Sequence, residues 1–174
     1  MKLYDSAMAP NPRRVRIFLA EKGITVPTVQ VDIAKAENRS PEFLARNPLG
    51  GVPVLELDDG TFLSESVAIC LYFELTHPQP PLLGTDARDK AVVEMWQRRA
   101  ELELTQQVFL CFQNTHDFFK GRLPQVPAYG EVARGRAEAT LALLDGELAG
   151  RRFDAGERFT IAEPACIMAS RSRL

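Results

Sequence analysis

The sequence predicts an α/β domain followed by an all-helical domain. Over roughly the first 76 residues, short apolar runs of period two alternate with stretches whose apolar residues recur at helical spacing. Beyond residue 86 only the helical spacing persists. Between the two parts lies THPQPPLLGTD, a proline-rich stretch at residues 76–86 that cannot continue a helix. We therefore predict a first domain over residues 1–77, a linker over 78–86 and a second domain over 87–174.

The first half of the α/β domain is predicted from three local signals. Lys2–Tyr4 begins a short strand. Asn11 followed by Pro12 predicts an N-cap and the first residue of a helix, and Gly23 predicts its end. The segment TVQVDI, residues 28–33, alternates apolar and polar residues and predicts a second strand.

The second half adds a short helix, a hairpin and a third helix. Ser40 before Pro41 predicts the start of the short helix. Asp59-Gly60, between two extended runs, is a dipeptide that favours a tight hairpin. A third helix follows Ser64, and its buried residues are expected to be Val67, Ile69, Cys70, Leu71 and Phe73. The resulting order, β-α-β-α-β-β-α, is thioredoxin-like.

The second domain is predicted to be all helical. One long helix runs from Ala87 to about Asn114, with an inward face of Val92, Met95, Trp96, Leu104 and Val108. A further helix follows Pro124 and Pro127, with an inward face of Val132, Leu141, Leu144 and Leu148. Thr160 and Glu163 have the spacing of a capping box, which predicts another helix start.

Composition excludes several classes of function. No apolar run reaches the length of about 18 residues that spans a membrane, and no secretory signal is visible at the N-terminus. The net charge is −2 with both signs scattered, which gives nucleic acid no basic surface. Cys70, Cys111 and Cys166 lie far apart, so neither a disulfide framework nor a metal site is expected, and core packing is their expected role. A cytoplasmic protein is predicted.

Four segments together resemble the cytosolic glutathione S-transferases, over residues 1 to about 163. They are RVRIFLAEKG at 14–23, SPEFLARNPLGGVPVLELDDG at 40–60, SES at 64–66 and GERFTIA at 156–162. The resemblance is to the bacterial theta- and phi-related or nu-like branches. It implies a glutathione-binding thioredoxin-like domain, a helical domain that shapes the pocket for a small hydrophobic electrophile, and a homodimer. Glutathione would be the co-substrate, and no metal is implied.

The resemblance implies three contacts with glutathione. Glu65 would pair with the γ-glutamyl ammonium, while the Ser66 hydroxyl and the amides that open the third helix would hold the adjacent carboxylate. The alternative is that Ser64 and Ser66 only cap that helix. The family's cis proline corresponds to Pro53, and the Val52 backbone would pair with the cysteinyl part of glutathione. Arg39 would meet the glycyl carboxylate, or else it is a solvated surface arginine.

The residue that activates the thiol is open at this stage. Theta- and phi-like members have a serine, and beta-like members a cysteine, at the position where this chain has Ala9. Asn11 is one candidate, because nu-like members place an asparagine there, although it is also the predicted N-cap. His116 is another, since a neutral imidazole can accept a proton directly or through water. A histidine near a helix end is also often a surface group or a helix-end charge.

The sequence departs from the family after FTIA. Glu163 and Pro164 lead into ACIMASRSRL, where the resemblance implies further helices, so an incomplete C-terminal domain is predicted. Two alternatives to transferase activity stay open. One is glutathione-dependent disulfide reduction, and the other is a non-catalytic binding protein that keeps the fold.

Overall fold

A computed structural model describes residues 1–163. The chain divides into two compact units, Met1–Leu82 and Leu83–Leu174. The segment after Glu163, including Cys166 and the predicted departure from the family, lies outside the described residues. The two units are described in turn.

A four-stranded mixed sheet forms the centre of the first unit. Its strands are β1 (Lys2–Asp5), β2 (Thr28–Gln30), β3 (Val54–Glu56) and β4 (Phe62–Ser64), in the order β2-β1-β3-β4. β1 is parallel to β2 and antiparallel to β3, and β3 is antiparallel to β4. The helices are α1 (Pro10–Glu21), α2 (Pro41–Leu44) and α3 (Ser66–Thr76). The predicted order of elements is confirmed.

The predicted hairpin between β3 and β4 is present. The Leu57 amide donates to the Thr61 carbonyl at 2.9 Å, which closes the turn around Asp59 and Gly60. Gly60 has a φ of +85°, a conformation that glycine adopts without steric cost. The Asp-Gly signal therefore set both the position and the geometry of this turn.

The strand β2 is shorter than predicted, ending at Gln30 rather than at residue 33. The chain turns at Asp32, whose carboxylate accepts a hydrogen bond from the Lys35 amide at 3.2 Å. Asp side chains favour such turns because they mimic a backbone acceptor. In the four-stranded sheet of the described residues β2 is an edge strand beside β1, and the alternating Val29 is exposed rather than buried.

The helix α1 starts two residues earlier than predicted, and the N-cap is Ala9 rather than Asn11. Pro10 is the first helical residue, where its fixed φ suits the helix and its missing N–H breaks no bond. Pro12 then falls within the first turn, where a proline is equally tolerated. The predicted end is confirmed, because Gly23 follows the C-cap Lys22 with a φ of +67°.

The helices α2 and α3 begin in different ways. The Ser40 hydroxyl accepts from the Phe43 amide at 3.2 Å, so the predicted cap of α2 is confirmed. The N-cap of α3 is Glu65, and no side chain in the described part of the chain caps this helix. In α3, Ile69, Cys70 and Phe73 are buried, Val67 is half-buried, and Leu71 is exposed against prediction.

The long helix predicted for the second unit is continuous but changes its winding. It comprises α4 (Ala87–Arg99), a π-helical stretch (Ala100–Thr105) and α5 (Gln106–Thr115). Its buried residues include the predicted Trp96, Leu104 and Val108. Met95 is exposed and Val92 only half-buried, because the inward stripe of α4 runs through Val93 and Trp96.

The helix α6 (Pro127–Leu148) buries small residues against α5. A Cβ atom at Gly130 would lie 2.5 Å from Cγ2 of Thr115, so the two helices approach as closely as a glycine allows. Gly130, Ala133 and Ala137 therefore form the inward face. Of the predicted face Leu144 is buried and Leu148 half-buried, whereas Val132 and Leu141 are exposed.

The predicted capping box at Thr160 and Glu163 is confirmed. The Glu163 carboxylate accepts from the Thr160 amide at 2.5 Å, and the Thr160 hydroxyl accepts from the Ala162 amide at 3.3 Å. Glu163 also accepts from the Asp154 amide at 3.0 Å. Burial raises the pKa of Glu163, although the hydrogen bonds from Thr160 oppose that rise.

Candidate active site

One end of the first unit's sheet gathers most of the predicted site residues. In the register of the sheet, Val54 lies opposite Tyr4 on one side and opposite Ser64 on the other. The residues just before β3 therefore lie beside those just after β4. This places Val52-Pro53 next to Glu65-Ser66, although twelve or more residues separate the two pairs along the chain.

The Val52–Pro53 peptide bond is cis, as the resemblance predicted. Pro53 is buried, and Val52 packs half-buried against a cluster of Tyr4, Val31, Phe43 and Val54. Within residues 1–163, the Val52 amide and carbonyl make no hydrogen bond. These two groups are available to pair with an extended peptide, as at the edge of a sheet.

Two asparagines that sequence reasoning missed hold the loop before Val52. The Asn38 side chain donates to the Gly50 carbonyl at 2.8 Å, and Asn47 donates to the Gly51 carbonyl at 2.9 Å. Gly50 has a φ of +65°, and a Cβ atom there would lie 2.8 Å from the Asn38 carbonyl oxygen. The Gly50-Gly51 pair was the available sequence signal for these contacts. Glycines have no polar side chain, so the carbonyls of a glycine loop need hydrogen-bond donors from other residues.

Arg39 is fixed beside the same loop. Its Nη1 donates to the Leu49 carbonyl at 3.1 Å, and the guanidinium packs over Gly50. The side chain remains exposed. The loop thus holds this cation in place near Val52, unlike an arginine surrounded only by solvent.

Glu65 has an unusual backbone conformation at the start of α3. Its φ is +70° and its ψ 117°, outside the regions that non-glycine residues normally occupy. Such a conformation costs on the order of 1–3 kcal/mol and is often found at functional sites. The Glu65 side chain is exposed and does not cap the helix. Since no side chain among residues 1–163 caps α3, the interpretation that Ser64 or Ser66 serves only as a cap is wrong.

Ser66 is the first residue of α3 and is buried, and its partner is an arginine from α1. The Ser66 hydroxyl oxygen accepts a hydrogen bond from Nη1 of Arg14 at 2.7 Å. Because Arg14 is only one turn past the start of α1, the N-terminal ends of α1 and α3 lie side by side. The sequence pairs Arg14 with Arg13 in a run of basic residues and gives no sign that Arg14 is buried.

Asn11 lies in the first turn of α1, and its side chain is exposed and makes no hydrogen bond among the described residues. The N-cap interpretation of Asn11 is therefore wrong. Pro10 and Pro12 have no N–H, so Asn11 supplies the one backbone donor among the first three residues of α1. Its amide side chain adds further donors at the same helix end.

The loop that leads into α1 is held by polar side chains from β1, β2 and α1. Arg16 forms an ion pair with the buried Asp5 and donates to the Ala7 carbonyl at 2.9 Å. Gln30 donates to Asp5 at 2.9 Å and accepts from the Ala7 amide at 3.1 Å. The position of Ala9 and of the helix end after it is thus fixed from β1, β2 and α1 itself.

His116 belongs to the second unit, directly after α5. Its Nδ1 accepts a hydrogen bond from the Phe118 amide at 3.1 Å, and its ring lies 4.5 Å from that of Phe112. A neutral imidazole that accepts at Nδ1 carries its proton on Nε2. In this tautomer Nε2 is a donor, so the predicted role as proton acceptor does not fit this hydrogen bond.

The described cysteines and acidic residues offer no other reactive centre. Burial raises the pKa of Cys70 to about 12, so this thiol stays protonated at neutral pH. Cys111 is also buried, and neither cysteine is in a disulfide. Within the described part of the chain, no group of three or more His, Cys, Asp and Glu side chains could hold a metal ion. No helix there is long and apolar enough to cross a membrane.

The cis proline before β3, and the positive-φ acidic residue and buried serine at the start of α3, are the features that the resemblance to glutathione S-transferases implies for the first unit. Residues 1–74 match the model of the glutathione S-transferase N-terminal domain. Glutathione S-transferase 2 of Saccharomyces cerevisiae is 39% identical over 170 residues, which are 94% of this chain and 72% of that protein. The chain belongs to the glutathione S-transferase family, which confirms the predicted family and fold.

Solved structures agree with this assignment. A glutathione S-transferase domain-containing protein from Marinobacter aquaeolei has a TM-score of 0.93 at 40% identity, over 98% of this chain and 85% of that chain. Gtt2 from Saccharomyces cerevisiae has a TM-score of 0.92 at 37% identity, over 98% of this chain and 84% of that chain. Both similarities cover far more than the thioredoxin-like unit.

Proposed function

We propose that this protein is a glutathione transferase that joins the glutathione thiolate to a small hydrophobic electrophile. The observation that carries the proposal is the meeting of Val52, Glu65 and Ser66 at one end of the sheet. Family membership supplies the class of reaction.

Each part of glutathione has a chemical match in the first unit. The exposed Glu65 carboxylate suits the γ-glutamyl ammonium, and Ser66 with the first amides of α3 suits the neighbouring carboxylate. The Val52 backbone would pair with the cysteinyl residue. Arg39, fixed at Leu49, would meet the glycyl carboxylate.

Activation of the thiol rests on hydrogen-bond donors rather than on a base. A free thiol has a pKa of about 8.5 and is mostly protonated at pH 7. Ala9 has no hydroxyl, so the backbone N–H and side-chain amide of Asn11 would stabilise the thiolate at the start of α1. The thiolate then attacks the electrophilic carbon, and a carbon–sulfur bond forms as the leaving group departs with its electron pair.

An aromatic cluster in the second unit supports an apolar electrophile. Phe112 and Phe119 meet edge to face with ring centroids 5.2 Å apart, and Phe109 and Phe118 pack against Phe119. Phe109 and Phe112 remain exposed. Aromatic faces and edges of this kind bind flat apolar molecules well.

Two further features belong to the proposal. A homodimer is supported by Leu71 and Leu75, which are exposed one turn apart on α3, and sedimentation velocity would test it.

A cytoplasmic location is supported by the free thiols of Cys70 and Cys111, as expected in a reducing compartment.

The decisive comparison is a side-by-side assay with a model aryl halide and a mixed glutathione disulfide. A transferase turns over the aryl halide faster than the disulfide, and this is the expected result. Faster reduction of the disulfide would support the reductase alternative, which the absence of a hydroxyl at residue 9 leaves chemically reasonable. Glutathione binding without either turnover would support a non-catalytic binding protein.

A further inference from the structure

We infer that Arg14 is a positioning residue, which orients the Ser66 hydroxyl toward the γ-glutamyl carboxylate of glutathione. The inference rests on the proposed glutathione site, and it adds a residue that does not itself contact glutathione in that proposal. The observation behind it is one buried contact, the hydrogen bond of 2.7 Å between Nη1 of Arg14 and the Ser66 hydroxyl oxygen.

The direction of this hydrogen bond is fixed by chemistry. A guanidinium has only donors, whereas a hydroxyl both donates and accepts. Ser66 must therefore accept from Arg14, which occupies one of its lone-pair directions. The hydroxyl hydrogen is left to point elsewhere, and a carboxylate is a partner that can only accept. Arg14 thus turns Ser66 into a donor for an anion.

The burial of Arg14 strengthens the effect. The residue is 1% exposed and Ser66 is 5% exposed, so the contact lies in a region of low dielectric. A hydrogen bond from a cation polarises the acceptor hydroxyl and makes it a stronger donor. The first amides of α3 present their own partial positive charge at the same place.

Arg14 contributes a charge as well as an orientation. Its guanidinium is buried and donates directly to the Ser66 hydroxyl, so its positive charge lies one hydrogen bond away from the group that would meet the carboxylate.

The test compares glutathione with an analogue in which the γ-glutamyl carboxylate is replaced by hydrogen. Calorimetry gives the affinity of both ligands for the wild type and for Arg14→Met, Arg14→Lys, Ser66→Ala and the Arg14→Met/Ser66→Ala double variant. We expect Arg14→Met to lose about tenfold or more in affinity for glutathione and almost nothing for the analogue, as for a charge-assisted hydrogen bond. The double variant should bind no more than about threefold more weakly than Ser66→Ala, because residues in one network are not additive.

Two variants separate positioning from folding. Val15→Ala changes the neighbouring buried residue, and it should lower stability without changing the ratio of the two affinities. Arg14→Lys keeps the charge without the guanidinium, so it should keep part of the wild type's preference for glutathione over the analogue. This variant tests the inference even if Arg14→Met does not fold. An unchanged ratio in the folded Arg14 variants would overturn the inference. Absence of glutathione binding by the wild type would instead overturn the proposed function, and the inference with it.

Discussion

Ser66 combines three features that suit an anion: it is buried, it begins a helix, and its hydroxyl accepts from a cation. Most serines at helix starts act as caps, and this one does not. Because Arg14 is a donor, the Ser66 hydroxyl hydrogen points away from it.

We predict that Ser66→Ala weakens glutathione binding by about 1–3 kcal/mol, because a bound carboxylate loses a donor. Isothermal calorimetry measures the change. Thr76→Val is the matched control, since it removes a hydroxyl at the other end of α3, where Thr76 donates to the Tyr72 carbonyl at 2.9 Å. Equal affinities for Ser66→Ala and wild type would remove Ser66 from the site.

Asn11 is predicted to affect the thiolate and not the fold. Asn11→Ala should change the free energy of unfolding by less than about 0.5 kcal/mol, because the side chain is exposed and caps nothing. It should raise the pKa of bound glutathione, and Asn11→Asp should raise it further by setting a negative charge against the sulfur. Ultraviolet absorbance of the thiolate against pH measures both.

The control for Asn11 adds the hydroxyl that Ala9 lacks. Ala9→Ser in the Asn11→Ala background should partly restore thiolate formation, since serine adds a donor at the position that many relatives use. If Asn11→Asp titrates like the wild type, Asn11 has no part in activation. The backbone N–H at the start of α1 must then provide it.

At the scale of elements, the site depends on where helices and strands begin. The start of α3 requires the strained backbone of Glu65, and the loop before β3 requires a glycine at residue 50. Strain at such points is retained because surrounding contacts hold it in place.

Glu65→Gly and Glu65→Ala should separate strain from binding. Both remove the carboxylate and should lose glutathione affinity equally. Glycine adopts positive φ without a Cβ clash, so Glu65→Gly should be more stable than Glu65→Ala by about 1 kcal/mol. Chemical denaturation measures the difference. A less stable glycine variant would show that the positive φ of Glu65 carries no strain.

The contact between α5 and α6 gives a second matched pair. Gly130→Ala should destabilise the second unit by about 1–3 kcal/mol, because the new Cβ would meet Thr115. Gly135→Ala in the same helix has nothing within 4 Å of the new atom and should stabilise it by about 0.5–1 kcal/mol. Thermal unfolding of both variants measures whether each one lowers or raises stability. Equal effects would contradict the close approach of α5 and α6 at Gly130.

Much of the fold was predictable because its signals are local. The Asp59-Gly60 hairpin, the Ser40 cap and the Gly23 helix end each depend on a few neighbouring residues. The predicted start of α1 was wrong, because Pro10 and Pro12 both suit a first helical turn and local rules do not choose between them. The predicted inward face of α6 was wrong at Val132 and Leu141, because the close approach at Gly130 favours small residues there.

The site was predictable in part, through the resemblance. Glu65, Ser66 and the cis Pro53 lie in recognisable segments. The contacts of Arg14 with Ser66 and of Asn38 with Gly50 were not predictable, because each joins residues that are distant in sequence through one side chain. The tautomer of His116 likewise depends on the turn that brings the Phe118 amide to Nδ1.

At the scale of the whole molecule, glutathione binding should appear as added stability. A ligand that binds only the folded state at 100 times its Kd adds about 2.7 kcal/mol. We expect glutathione to raise the melting temperature of the wild type, and to raise it less for Ser66→Ala at the same concentration. A melting temperature independent of glutathione in the wild type would contradict binding to the folded chain.

Titration of glutathione bound to the wild-type protein measures directly whether the site activates the thiol. The difference absorbance of the thiolate is followed from acidic to alkaline pH, with S-methylglutathione as the control that has no thiol. We predict a thiol pKa at least one unit below the free value of about 8.5, so that about a quarter or more of the bound thiol is ionised at pH 7, rather than a few per cent. A bound thiol that titrates like free glutathione would contradict the claim that this site activates glutathione for transfer.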